Sequence, residues 1–139
     1  MNVTGRQAML IRILLILLGL FHAANGLFMV LAPSRWYLAV PGVVHTGPAN
    51  LHFIPDIGFA FLLSGLGLLL GARNGSHAGA YALAGAAFPF AHALFHIWGW
   101  GMHGFPQGTA FIVSETIGVV GVSFLGMALA WLRAREGGA

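Results

Sequence analysis

The sequence predicts an all-α, integral membrane four-helix bundle, and composition is the first observation behind that prediction. Hydrophobic residues make up 58% of the 139 residues, charged residues make up 6%, and the mean hydropathy is +0.86. Water-soluble domains have about 25% charged residues, and disordered chains combine low hydrophobicity with high net charge. Both of these classes are therefore excluded. The other two observations are four long apolar runs and the placement of the arginines around them.

Four apolar runs are separated by segments that contain proline, glycine or asparagine. A spanning helix needs roughly 20 residues, so the chain has room for a single transmembrane domain over residues 1–139. Pro55 is favourable as the first residue of the second helix, because its missing N–H would be unpaired there. By length and turn signals, the predicted helices cover about residues 9–32, 55–72, 78–100 and 109–132.

The segment between the first two helices, residues 33–54, is predicted to be an interfacial connector. It begins at Pro33 and contains Trp36 and Tyr37. Amphipathic aromatic residues favour the headgroup level of a bilayer. The start of this connector is therefore expected to lie flat in the membrane interface.

Small residues recur at helical spacing on the predicted second and third helices. Such residues let helices approach closely in lipid. We therefore expect them to form packing surfaces inside the bundle. The residues concerned are Gly67, Gly71, Ala78, Ala82 and Ala86.

The arginines predict how the bundle is oriented. With four spans both termini lie on one side, and only Arg35 lies on the other side. Cytoplasmic loops carry an excess of basic residues, so we predict an N-in/C-in protein of the bacterial inner membrane. The first run follows a basic segment like that of a signal peptide, but it is long enough to be retained as a span. The arginines on the predicted cytoplasmic side are Arg6, Arg12, Arg73, Arg133 and Arg135.

A motif in the connector gives a resemblance. The stretch from Pro41 to Gly58 contains the pattern PGV..TGP.N.HF..D.G, and the sequence ALFH follows later, ending at His96. This pattern resembles a group of small bacterial four-helix membrane proteins. The resemblance implies the four-helix membrane fold, and it implies no activity or cofactor.

Several chemistries lack the residues they need. The chain has no cysteine, which excludes disulfides, thiolate nucleophiles and iron–sulfur clusters. It has no lysine, which excludes a Schiff base. Its arginines are explained by membrane orientation, so no nucleic-acid partner is expected. The lipid bilayer is the partner that the composition requires.

The polar residues are predicted to gather in the outer half of the membrane. Six of the seven histidines and two of the three acidic residues fall there, and each helix supplies at least one. Charged side chains are costly in a bilayer, so they face the bundle interior and find partners. We therefore expect one polar pocket, with Asn25 turned toward it. The predicted metal ligands are His22, His52, Asp56, His92, His96 and Glu115.

Individual residues within this set have separate expectations. His92 and His96 are four apart on one helix face, the spacing that offers two imidazoles to one metal ion. Glu115 and Asp56 are the candidate catalytic carboxylates. For Asp56 the alternative is stabilisation by the helix dipole at the start of the second helix. For Glu115 the alternative is a hydrogen bond to a histidine that serves packing.

Three functions remain open from the sequence. The first is a site for a divalent transition metal (zinc, iron, manganese or copper) or a redox cofactor near the periplasmic face. Such a protein could be a small metal-dependent oxidoreductase acting on a small apolar or weakly polar substrate. The second is a b-type haem held by His22 and His92. The third is a non-catalytic accessory subunit or small carrier, with a proton relay, in a homo-oligomer or a larger membrane complex.

Overall fold

The computed structural model describes residues 5–136, and every element in that part of the chain is helical. A π-helical segment, Ser114–Gly121, joins the last two helices into one continuous span over Thr109–Glu136, here called the last span. The α-helices are α1 (Gly5–Leu31), α2 (Pro33–Ala39), α3 (Phe53–Gly71), α4 (Ala78–His103), α5 (Thr109–Val113) and α6 (Val122–Glu136).

Four of these helices are long and apolar enough to cross a membrane, which confirms the predicted all-α class and its four span-length helices. They are α1, α3, α4 and the last span. The helix α3 begins at Phe53 instead of Pro55, because the Asn50 side-chain oxygen accepts the N–H groups of His52 and Phe53. Pro55 then lies in the first turn, where an N–H has no intrahelical acceptor anyway.

The four spans pack antiparallel in chain order, α1 on α3, α3 on α4 and α4 on the last span, and α1 also contacts α6. We call the end where α1 and α4 finish the histidine end, and the opposite end the arginine end. The half of the bundle toward the arginine end has an apolar core. Its completely buried members are Leu15, Leu68, Ala82 and Ala130.

Small residues bring the helix backbones together at two contacts. Between α1 and α3, a Cβ atom built on Gly26 would lie 2.5 Å from the carbonyl oxygen of Gly58. Between α3 and α4, a Cβ atom on Gly71 would lie 2.7 Å from the Cα of Ala82. Both residues of the second contact belong to the small-residue surfaces for which the sequence predicted close packing. The glycines of the first contact were not singled out, although Gly19 and Gly26, like Gly58 and Gly65, are seven residues apart on one face.

The connector folds back on the histidine end of the bundle. The indole N–H of Trp36 donates a hydrogen bond of 2.9 Å to Asn25 Oδ1, so Asn25 binds the connector and is not turned toward the other polar residues as expected. The Tyr37 hydroxyl donates to the Gly47 carbonyl at 2.7 Å. The Phe111 ring packs on Gly42, whose φ of 90° favours glycine. The connector thereby joins α1 to the start of the last span.

Arg133 ties α6 to the end of α3 at the arginine end. Its side chain is 7% exposed. Its guanidinium donates to the carbonyls of Gly71 (3.0 Å) and Arg73 (2.9 Å) and to Glu136 Oε2 (2.8 Å). The last carbonyls of a helix have no intrahelical donor, and a basic side chain satisfies them and opposes the helix dipole. Arg133 therefore has a structural role, in addition to the role in orientation that the sequence predicts for it.

Replacing Arg133 with glutamine is expected to lower the free energy of unfolding by about 3 kcal/mol, because Glu136 and two carbonyl groups lose a buried partner. The measurement is thermal or SDS-induced unfolding of the purified protein in detergent. Arg135→Gln is the matched control, since Arg135 is exposed and stacks on the Trp131 ring at 4.3 Å. That contact contributes about 0.5 kcal/mol. Equal effects of the two substitutions would contradict the structural role.

Candidate functional site

A hydrogen-bonded array of three ionisable side chains lies near the histidine end. Glu115 Oε2 is 2.6 Å from His96 Nδ1, and His96 Nε2 is 3.1 Å from His92 Nε2. The Trp100 indole N–H donates to the same carboxylate oxygen at 3.2 Å. The side chains of His96 and Glu115 are only 23% and 12% exposed. We call this group the Glu115–His96–His92 array.

Helical spacing on α4 builds one side of this array. His92, His96 and Trp100 follow one another at intervals of four residues, which places them along one face of the helix. Ala93, one residue beyond His92, is fully buried against the bundle. The polar stripe therefore runs along the border of the buried face of α4, where it meets the last span.

The π segment supplies the other side of the array. It contains Glu115 and packs on α4. The segment is rich in β-branched residues and includes Gly118 and Gly121, a composition that does not favour a regular α-helix. Thr116 also donates its hydroxyl to the Ile112 carbonyl at 2.7 Å. π-Helical turns are rare and frequently occur at functional sites.

The geometry fixes where protons can lie in the array. With Glu115 ionised, its carboxylate accepts the Nδ1–H of His96 in a short, charge-assisted hydrogen bond. The two facing Nε2 atoms of His96 and His92 then share a single proton, because one must donate and the other accept. When His92 also has a proton on Nδ1, moving the shared proton across the 3.1 Å gap changes which of the two imidazoles is positively charged.

Aromatic rings surround the deeper end of the array. The Phe61 ring lies 5.6 Å from the His92 ring and 5.6 Å from the His22 ring, between ring centroids. Phe88 stacks on His92 at 5.8 Å. His22 is 2% exposed, and its Nδ1 has no hydrogen-bond partner among residues 5–136. His22 is thus next to the array, in contact with it through Phe61.

Asp56 and His52 do not join the array. They face each other at 3.7 Å at the start of α3, with side chains 58% and 93% exposed. Ile54 and Gly58 are buried, and each is two residues from Asp56, which places Asp56 on the opposite side of the helix. The carboxylate is in the first turn of α3, the position that the helix dipole stabilises. This was the alternative that the sequence left open for Asp56.

The six predicted ligands therefore do not form one group. Within residues 5–136, no set of three or more His, Asp or Glu side chains is placed to hold a metal ion. His92 and His96 offer two facing nitrogens, whereas zinc sites have three or four protein ligands. A haem between His22 and His92 would have to displace Phe61. Metal and haem binding stay predictions from the sequence.

Two residues of the site were missed by sequence reasoning. Trp100 lies close to the end of a predicted span, where the sequence alone favours a membrane-interface anchor, yet its position four residues after His96 was a usable signal for a shared face. Phe61 gave no such signal, because an apolar residue in an apolar helix is not distinguished by its sequence context. Its place between two imidazoles follows only from the packing of α3 against α1 and α4.

Comparisons with known proteins give no assignment for this site. No family model matches the chain, and no curated protein or solved structure matches it. A function for this site can therefore be inferred only from the chemistry of the array.

Proposed function

We propose that the chain is an integral membrane protein with both termini on the cytoplasmic side of a bacterial inner membrane. Four span-length apolar helices support insertion. The charges support the orientation, because the arginine end has four net positive charges and the histidine end has one net negative charge with histidine neutral. The first end has Arg6, Arg12, Arg73, Arg133, Arg135 and Glu136, and the second has Arg35, Asp56 and Glu115.

The function that the geometry supports best is proton transfer at a membrane-embedded acid–base site, open to water from the histidine end only. The observation that carries this proposal is the continuous Glu115–His96–His92 array. Carboxylates and imidazoles in spanning segments commonly form proton relays. This function develops the third interpretation from the sequence, a small carrier or accessory protein with a proton relay.

The array can move one proton in a single coordinated step. Uptake of one proton from the histidine end gives the two imidazoles three N–H protons and places the positive charge on His96, where the Glu115 carboxylate stabilises it through the 2.6 Å hydrogen bond. The proton between the two Nε2 atoms then shifts from His96 to His92, so that the positive charge moves to the deeper ring. His92 can then give its Nδ1 proton to an acceptor there. His92 lies one helical turn, about 6 Å, deeper than His96.

The apolar core argues against conduction of protons through the whole membrane. Leu15, Leu68 and Ala82 are fully buried in the half toward the arginine end, with no ionisable side chain among this core cluster. A proton needs a chain of polar groups or water, and these side chains offer neither. We therefore propose that protons reach a point about halfway across and serve chemistry or sensing there.

A one-sided pH jump tests this function. The protein is reconstituted into liposomes in one orientation with labelled histidine and glutamate, and infrared difference spectra follow acidification of either side. We expect imidazole and carboxylate bands to respond only to acidification at the histidine end, and passive proton flux to equal that of empty liposomes. A response from the arginine end, or flux above the empty liposomes, would overturn the proposal.

Two variants separate a relay from a packing network. His96→Ala should remove or delay the response of His92, because it breaks the hydrogen-bonded route. His103→Ala is the control, since His103 is an exposed residue at the end of α4. An unchanged His92 response in His96→Ala would show that the array does not relay protons and would favour the accessory-subunit alternative.

A further inference from the structure

We infer that the seam between α1 and α3 binds one anionic phospholipid, with its phosphate on Arg12 and Arg73 and one acyl chain in an adjoining apolar groove. This inference rests on the proposed membrane insertion and is independent of the acid–base site. Two observations support it: a groove at the surface of the seam and a pair of arginines at its end.

The groove is an open apolar depression of about 600 Å³ between α1 and α3. It exists because α1 has small residues there, Gly19 and Ala23, opposite long leucine side chains of α3. A Cβ atom on Gly19 would lie 2.9 Å from Leu69 Cγ, so α1 and α3 are closely packed at the bottom of the groove. Along α3 the groove extends about 15 Å, which is half of a typical hydrocarbon core. Its lining residues are Ala23, Phe59, Leu62, Leu63, Leu66 and Leu69.

Both arginines lie at the arginine end of this groove. Arg12 precedes Ala23 by eleven residues, which is three turns and nearly the same face of α1. Arg73 lies two residues beyond the end of α3 and four residues after the lining residue Leu69, in the turn that also contains Asn74. The Arg12 guanidinium donates to the Asn74 side-chain oxygen, which ties α1 to the turn after α3. The cations and the groove therefore belong to the same seam.

The charges at this end have no carboxylate to neutralise them. The Arg12 Nε atom is buried without a hydrogen-bond partner in the described part of the chain. The Arg73 side chain is exposed, and in residues 5–136 the one acidic group at this end, Glu136, is paired with Arg133. A guanidinium binds the two free oxygens of a phosphodiester in a bidentate manner. An ammonium on a zwitterionic headgroup would be repelled by the same arginines, so the site favours an anionic lipid.

Native mass spectrometry of the detergent-solubilised protein tests this site with phosphatidylglycerol and phosphatidylcholine as probes. We expect one tightly bound phosphatidylglycerol, and about 30-fold weaker binding in the Arg12→Gln/Arg73→Gln double variant. Arg135→Gln, an exposed arginine at the same end, is the matched control and should change binding less than twofold. Equal binding of the two lipids, or unchanged binding in the double variant, would overturn the inference.

Groove-filling variants test the acyl-chain part. Ala23→Phe should weaken phosphatidylglycerol binding. If this variant does not fold, Leu66→Trp, a substitution at an exposed position, should weaken the binding in the same way. Displacement of the lipid by glycerol phosphate at equal concentration would show that the groove contributes nothing to lipid affinity. A dimer that is abolished by Ala23→Phe would show that a second copy of the chain, and not a lipid, occupies the seam. Failure of membrane insertion itself would appear separately, as release of the protein by alkaline carbonate. His96→Ala should leave lipid binding unchanged.

Discussion

Replacing Glu115 with glutamine is expected to disconnect the array while leaving the four helices in place. Glutamine keeps the size of the side chain but has no charge, so it no longer fixes the Nδ1–H of His96 in a short hydrogen bond. We expect the low-field proton resonance of the 2.6 Å His96–Glu115 hydrogen bond to disappear from spectra of ¹⁵N-histidine-labelled protein in nanodiscs. The free energy of unfolding should fall by about 2 kcal/mol, the contribution of a hydrogen bond to a charged group.

Asp56→Asn is the control for this substitution. Asp56 is half-exposed and pairs with the exposed His52, so its loss should leave both the resonance and the stability nearly unchanged. A low-field resonance that persists in Glu115→Gln would contradict the ionised carboxylate and with it the single shared proton. The same spectra report His92, whose signals should shift in Glu115→Gln because the two imidazoles are hydrogen-bonded to each other.

Substituting Gly26 with alanine is expected to separate α1 from α3. The added Cβ atom would lie 2.5 Å from the Gly58 carbonyl oxygen and 2.7 Å from the Leu62 backbone nitrogen. Both neighbours are backbone atoms, so a change of rotamer cannot relieve the contact. Overpacking of this kind costs about 3 kcal/mol. Thermal unfolding in detergent, followed by helical circular dichroism, measures the loss.

Gly99→Ala is the matched control on α4. A Cβ atom there has nothing within 4 Å, and alanine has a higher helix propensity than glycine by about 1 kcal/mol. We therefore expect Gly99→Ala to be neutral or slightly stabilising. If Gly26→Ala were equally neutral, the close backbone contact between α1 and α3 would not hold the bundle together.

The apolar surroundings of the array strengthen the interaction between Glu115 and the two imidazoles. In a low-dielectric surrounding, electrostatic interactions are stronger than in water, so one carboxylate has a large effect on the neighbouring imidazoles. Phe61 and Phe88 pack against the deeper ring, His92, and supply part of this low-dielectric surrounding.

The sequence was sufficient for the helices and for the three ionisable members of the array. Apolar runs of spanning length predicted the four spans, and the i, i+4 spacing predicted that His92 and His96 share a face. Glu115 was recognised because a carboxylate within a span needs a partner. These features are local: they depend on length, composition and helical periodicity, which are properties of each segment alone.

The tertiary structure decided which polar residues meet. Each span-length helix is apolar on nearly all sides, so no amphipathic pattern in the sequence tells which face is turned inward. The rotation of α3 that buries Ile54 and Phe61 turns Asp56 outward, and the fold of the connector takes Asn25 away from the site by binding it to Trp36. Such rotations follow from close contacts between glycine-bearing backbones on different helices, which only the packed bundle defines.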